Sequence, residues 1–245
     1  MIANIPPMTH IERTKRAKDK AQTVCDFLAS GEIYSTPEII SQLLNLDRSR
    51  AVACLKTLEK QGFLRSEEHY FEGRHQKIFG VTPQGLALAD KCENPYFEGG
   101  RTNAGWVPHR LACQRMRLKA TAAGWKDFTP ERVLRLDKSL KKIPDAVATN
   151  PNGARVAIEI ERNVKTQKRY ADLIVIYLKA IKANKYAEVH YVAPDELIEK
   201  LLKRTVTSIK SVKVGAEIVQ ITPEHLSKFK FFSFESWAKK EAVNV

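Results

Sequence analysis

PDAVATNPNGARVAIEIER, running from Pro144 to Arg162, is the stretch that decides how this chain is read. Asn152-Gly153 stands between two short runs of strand-forming residues, the pattern of a two-residue hairpin turn. In the second run Val156, Ile158 and Ile160 alternate with Arg155, Ala157, Glu159 and Glu161. A period of two sends the aliphatic side chains to one face and both glutamates to the other. Asp145 opens the partner run and brings a third carboxylate towards the same edge. Three acids held together repel one another unless a cation lies between them. Oxygen ligands of this kind suit Mg2+ or Mn2+, the ions of phosphodiester chemistry. Taken alone, an E-x-E pair on a strand is a solvated face; Asp145 across the hairpin is what favours a metal.

Outside this stretch the charge is strongly positive. The chain has 245 residues, with 41 Lys+Arg against 28 Asp+Glu, a net +13. That surplus favours a polyanionic partner, bound through released counterions if it is nucleic acid. No apolar run reaches the ~18 residues that read as a membrane span, and the N-terminus has no signal-peptide core, so no membrane insertion and a cytoplasmic protein are expected. Cys25, Cys54, Cys92 and Cys113 have no CxxC spacing. Cys25, Cys54 and Cys113 fall within helical patterns and read as small core residues in a reducing compartment, with no zinc site expected.

The expected fold class is α+β: an N-terminal winged helix-turn-helix, then an α/β domain built on a mixed sheet. The domain limits are 1–92, a linker over 93–106 that carries Pro95, Gly99, Gly100 and Gly105, and 107–245. Residues 1–16, with Pro6, Pro7 and a basic cluster, read as an arm. A helix follows over 17–29. Ser35 would cap a helix over 36–44, and Asp47 a third over 48–61 that Gly62 ends. Short strands at 63–65 and 76–81 flank a loop over 67–75, and Pro83 opens another helix. In such a unit the third helix enters the major groove. Arg48, Ser49, Arg50 and Lys56 would contact DNA there, with Arg74, His75 and Lys77 on the wing. The same unit used only for protein contact is the alternative.

The second half begins with a helix over 108–123, whose first residues are His109 and Arg110. Either could meet a phosphate; His109 could equally make a structural hydrogen bond at the helix start. Residues 133–136 read as a strand, followed by the hairpin, a helix over 168–183, a strand over 187–192, a helix over 195–204 and a last strand over 214–221. Phe229, Phe231, Phe232, Phe234 and Trp237 make an aromatic tail that suits core packing or a partner interface better than base stacking.

With Pro144-Asp145 and Glu159-Ile160-Glu161 on adjacent strands, the second domain resembles the PD-(D/E)xK restriction-endonuclease-like fold, an αβββαβ core. Glu161 stands where that pattern has lysine, an E-x-E form that some restriction endonucleases share. Lys165 or Lys168, on the following helix, would supply the displaced positive charge. The order of a winged helix, His109-Arg110-Leu111, Pro144-Asp145-Ala146, Ile158 to Arg162 and Tyr170 to Leu178 is similar to the replication-relaxation family and to plasmid mobilisation relaxases of the MOB C class. That resemblance implies nicking of a plasmid transfer origin, with a type IV coupling protein as partner; a homodimer is a further expectation.

The chemistry expected is metal-dependent cleavage of one DNA strand. Asp145 and Glu159 would hold the ion, with the Ile160 carbonyl as a further ligand. Glu161 would act as a general base or support the ligands, and Lys165 or Lys168 would aid electrostatically. Tyr170 and Tyr177 recur on a helix whose apolar face needs such residues, and read as core or orienting groups rather than nucleophiles. The competing class is a non-catalytic winged-helix protein that regulates plasmid replication or assembles the relaxosome.

Overall fold

Thr9 starts the first helix, α1 (His10–Phe27). Its hydroxyl accepts from the Glu12 amide, and the Glu12 carboxylate accepts from the Thr9 N–H at 2.8 Å. Satisfying two orphan donors in this reciprocal way favours helix from residue 10 onward. The arm expected over 1–16 is therefore helical in its second half, while Pro6 and Pro7 lie outside the described residues. The structure is a computed structural model and describes residues 9–239. Its contacts divide the chain into two units between Leu111 and Ala112.

In the first unit a π-turn at Leu28–Glu32 follows α1, then β1 (Tyr34–Ser35), α2 (Pro37–Leu44), α3 (Arg48–Lys60), β2 (Leu64–Phe71), β3 (Arg74–Val81) and α4 (Pro83–Leu88). Ser35 belongs to β1, and Thr36 is the residue before α2. Asp47 caps α3 as predicted, accepting from the Arg50 amide at 2.9 Å. The strands form an antiparallel sheet in the order β1-β3-β2. Val24, Leu28, Ile39, Ile40, Leu55 and Ile78 are all fully buried.

The loop expected over 67–75 is instead a β-ribbon, closed by Glu72 and Gly73 at φ 52° and 75°. Two positive φ values in succession fit the tight turn that matches strand twist. Strand character there is masked in the sequence because Glu67, Glu68, His69, Arg74 and His75 leave no hydrophobic alternation to read.

The segment expected to be a linker is anchored. Phe97 N–H donates to the Val81 carbonyl at 2.8 Å, and the buried Phe97 ring meets Tyr34 edge-on at 5.9 Å. Gly80 makes this possible, since a β-carbon there would lie 2.0 Å from Phe97 Cγ.

The second unit takes the rest of α5 (Val107–Ala122) from Ala112 onward. It continues with β4 (Lys126–Pro130), α6 (Glu131–Leu134), β5 (Ala146–Thr149), β6 (Arg155–Ile160), α7 (Gln167–Lys182), β7 (Glu188–Ala193), α8 (Glu196–Thr207), β8 (Ser211–Val214), β9 (Glu217–Gln220), α9 (Pro223–Ser227) and β10 (Phe229–Ser233). A five-stranded mixed sheet runs β10-β7-β6-β5-β4, with β10, β7 and β6 parallel and the two remaining pairs antiparallel. Ala112, Met116 and Ala120 of α5 pack on one sheet face with Ala146, Val156, Ile158 and Val192. Tyr170, Ile174 and Tyr177 of α7 cover the other, over Val147, Ala157, Val189 and Tyr191.

Three expectations need correction here. Residues 133–136 are not a strand; Glu131–Leu134 form α6, and the strand is β4 just before it. The run over 214–221 is not the last strand of the sheet, because β8 and β9 pair only with each other. The last strand is β10, from the aromatic tail, and Trp237 beyond it is fully buried with its indole N–H on His190 Nδ1 at 3.0 Å. The hairpin turn is also longer than two residues. Asn150 N–H pairs with the Ala154 carbonyl at 2.9 Å, enclosing Pro151, Asn152 and Gly153, the last at φ 82°. Pro151 suits the first corner of such a turn, and the Asn150 side chain accepts from the amides of Asn152 and Ala154.

Gly80→Ala is expected to destabilise the first unit by about 1–3 kcal/mol through overpacking against Phe97. Combined with Phe97→Ala, its added cost should shrink, because the clashing ring is gone. Thermal melts of the two single variants and the double variant check this, and strict additivity would contradict it.

Candidate functional site

Pairing of β5 with β6 runs Ala146↔Ile158 and Val147↔Ala157. One step beyond, Asp145 faces Glu159 across the hairpin. Asp145 Oδ2 accepts from the Ile160 amide at 2.7 Å, which fixes the carboxylate at the end of β6. It is thus the Ile160 N–H that meets Asp145.

Alternation does place the aliphatic side chains of β6 on one face and the glutamates on the other, but neither face is open to solvent. Glu159 and Glu161 are only 5% and 4% exposed. Helices α5 and α7 cover this mixed sheet on both sides, which is why the period of two here does not mean a wet face. Glu159 Oε1 accepts from Lys142 Nζ at 2.6 Å and from the Tyr177 hydroxyl. Lys142 also donates to the Ile143 carbonyl at 2.6 Å. Burial, and next the charge of Asp145, push the Glu159 carboxyl up to about 7, against the opposing pull of Lys142 and Tyr177. Glu161 pairs with Lys165, and the Lys165 amide donates to the Tyr170 hydroxyl at 3.0 Å.

Sequence reasoning named Asp145, Glu159, Glu161 and Lys165, and the structure gathers all four around the end of β6. Lys168 is exposed on the first turn of α7, with no ion pair to either glutamate among the described residues. Lys142 was missed. It lies in an irregular, lysine-rich stretch before the strand, and only folding brings it beside Glu159. Tyr170 and Tyr177 are buried, as expected of core groups, and their hydroxyls also serve this polar cluster.

Asp145, Glu159 and Glu161 do not come within 4.8 Å of one another as a trio of ligand atoms, among the described residues. Asp145 instead lies within 4.8 Å of the Cys113 thiol, and His109 stands one turn earlier on α5. A thiol beside a carboxylate suits softer divalent ions than three carboxylates do. Cysteine spacing alone could not reveal this, because Cys113 joins the cluster through tertiary packing.

No family profile and no curated protein matches this chain.

The residues expected to read DNA fall into two sets. Arg48, Lys56, Arg74, His75 and Lys77 line one groove of about 350 Å3 between α2, α3 and the β2–β3 ribbon. One carboxylate, Glu38, lies among them and holds Arg48 at 2.9 Å. Ser49 and Arg50 turn back to the cap of α3, with the Ser49 hydroxyl 2.6 Å and Arg50 Nε 3.2 Å from Asp47. Arg50 lines a separate cleft beside Arg13, Lys18 and Lys20 of α1. His109 and Arg110 are half-buried on the first turn of α5, outside the groove.

The raised carboxyl has a thermodynamic signature. Glu159 binds its proton more tightly folded than unfolded, so its contribution to stability is complete below the ordinary value of 4.5 and is lost as pH rises to about 7. Between pH 5 and 8 the melting temperature of the natural chain should fall more steeply than that of Glu159→Gln, a difference on the order of 2 kcal/mol. Equal slopes would place the shifted group elsewhere.

Proposed function

We propose that this protein binds duplex DNA through its first unit and cuts one strand with its second, in the manner of a plasmid mobilisation relaxase. The observation that carries the reading is the Asp145–Glu159 pair: two carboxylates at the end of β6, with that of Glu159 raised by burial and next by the charge of Asp145. Such a pair is a site of concentrated negative charge that a divalent cation relieves. The element order α5, β4, β5, β6, α7, β7, interrupted only by the single-turn helix α6 between β4 and β5, supports a restriction-endonuclease-like core. The three helices and antiparallel ribbon of the first unit, with five basic residues in one groove, support a winged helix used on DNA.

Asp145 and Glu159 would hold Mg2+ or Mn2+, and the adjacent Cys113 favours Mn2+ of the two. The ion would polarise the scissile phosphate and lower the pKa of a bound water. Lys142, on Glu159 Oε1 beside the pair, would hold a phosphate oxygen there. Glu161, already paired with Lys165, is placed to orient the water or accept its proton. The likeness to mobilisation relaxases suggests a transfer origin as the DNA and a type IV coupling protein as partner. One observation favours a second reading, DNA binding without chemistry: Lys142 and Tyr177 already satisfy Glu159.

Supercoiled plasmid incubated with protein and Mn2+ or Mg2+ should yield relaxed circles, and EDTA should abolish them. Glu159→Ala and Asp145→Asn should reduce nicking at least a hundredfold. Absence of metal-dependent relaxed circles would leave only the second reading. For the first unit, Arg74→Ala and Lys77→Ala should each weaken duplex binding and lower its salt slope by about one. Electrophoretic shifts between 50 and 200 mM salt, both about the usual range for such measurements, check this. An unchanged slope would remove the groove from the DNA contact.

A further inference from the structure

A cavity of about 260 Å3 opens in the second unit between the stretch 139–142 and the C-terminal half of α7. Leu140, Val175, Tyr177 and Tyr186 give it an apolar, partly aromatic floor, while Lys141, Lys142, Lys179 and Lys185 stand around it. No carboxylate among the described residues lines it. Tyr186 is 4% exposed, and its hydroxyl has no hydrogen-bond partner among the described residues. A buried hydroxyl without a partner costs free energy that a ligand's polar edge would recover. Lys185 Nζ donates to the Ser139 carbonyl at 2.9 Å and hydroxyl at 2.8 Å, which holds the rim in place.

We propose that this cavity binds a single nucleotide, its base on the Tyr177–Tyr186 floor and its phosphate on the lysine rim. Lys142 is paired with Glu159, but Lys141, Lys179 and Lys185 have no carboxylate beside them in the cavity and select an anion, and aromatic walls select a flat ring joined to it. The volume lies below the usual range for small-molecule sites, enough for one nucleotide and too small for a dinucleotide cofactor. Lys142 and Tyr177 line the cavity and also bond to Glu159 Oε1, so a nucleotide seated there reaches the carboxylate through two shared side chains. On the reading of this unit as a DNA-cutting one, the occupant is a nucleotide drawn from the strand beside the scissile phosphate. That identity rests on the proposed function; the cavity and its lysines do not.

Calorimetric titration in EDTA with thymidine 5′-monophosphate, thymidine and inorganic phosphate tests the site without cleavage. The monophosphate should bind at one site, with thymidine and inorganic phosphate each at least tenfold weaker. Lys141→Ala combined with Lys179→Ala should weaken the monophosphate at least tenfold, whereas Lys77→Ala in the first unit should leave it unchanged. Both lysines are exposed, and an unaltered melting temperature would confirm that the double variant folds. Tyr186→Phe should weaken binding severalfold. No saturable binding, equal affinity in the double variant, or phosphate binding as tightly as the nucleotide would each overturn the proposal. Nucleotide binding without nicking would overturn the proposed function alone, and nicking without nucleotide binding the cavity alone.

Discussion

A carboxylate buried under a helix is the constraint around which the second unit is arranged. Glu159 stands on a sheet face that α7 covers, where desolvation penalises its charge more than any single neighbour relieves it. Such a group persists only when polar partners reach it inside an apolar layer. Tyr177 supplies one from above and Lys142 one from the side. Tyr170 and Tyr177 are seven residues apart, two helical turns, so both fall on the buried face of α7 and can send hydroxyls to the two glutamates' surroundings. The tyrosines fill the layer and, at the same time, satisfy the acids that would otherwise be orphaned in it.

Asp145 makes the arrangement adjustable. Its carboxylate accepts from the Ile160 amide, and its charge adds to the burial that disfavours ionised Glu159. Lys142 offsets this repulsion now, through one nitrogen shared between Glu159 and the Ile143 carbonyl. A divalent cation carries twice the charge of an ammonium and would favour full ionisation of both acids. On the proposed function, a metal would thus compete with Lys142 as counter-ion for the same carboxylate.

Much of this was legible before folding was considered. That Asp145 approaches the acidic end of the second strand follows from hairpin geometry, a local rule, but a two-residue turn would set it opposite Ile160, and only the longer turn shifts the register by one to Glu159. The Asp47 cap of α3 and the course of α7 are likewise local. Cover on the glutamate face was not legible, because E-x-E alternation reads as half-wet whenever the second covering layer is distant in sequence. The β2–β3 ribbon was shortened for a related reason: its polar, histidine-containing strands bury little and leave no apolar pattern. The aromatic tail was correctly expected to pack, but that Phe229–Ser233 enters the sheet beside β7 is a long-range pairing that no window can show. Lys142 and Cys113 belong to the same category, since irregular loops and helix faces acquire neighbours only through tertiary contact.

The burial of the acids also bears on how a protein with a net +13 would meet a polyanion. Exposed carboxylates at a DNA-facing site would oppose the attraction supplied by the rest of the surface. In the second unit Glu159 and Glu161 are withdrawn from solvent, and each has a lysine at its outer side, Lys142 and Lys165, both about one-third exposed. A phosphate approaching from outside therefore meets ammonium groups before it meets carboxylates. The acids can then remain close enough to act without presenting their charge at long range.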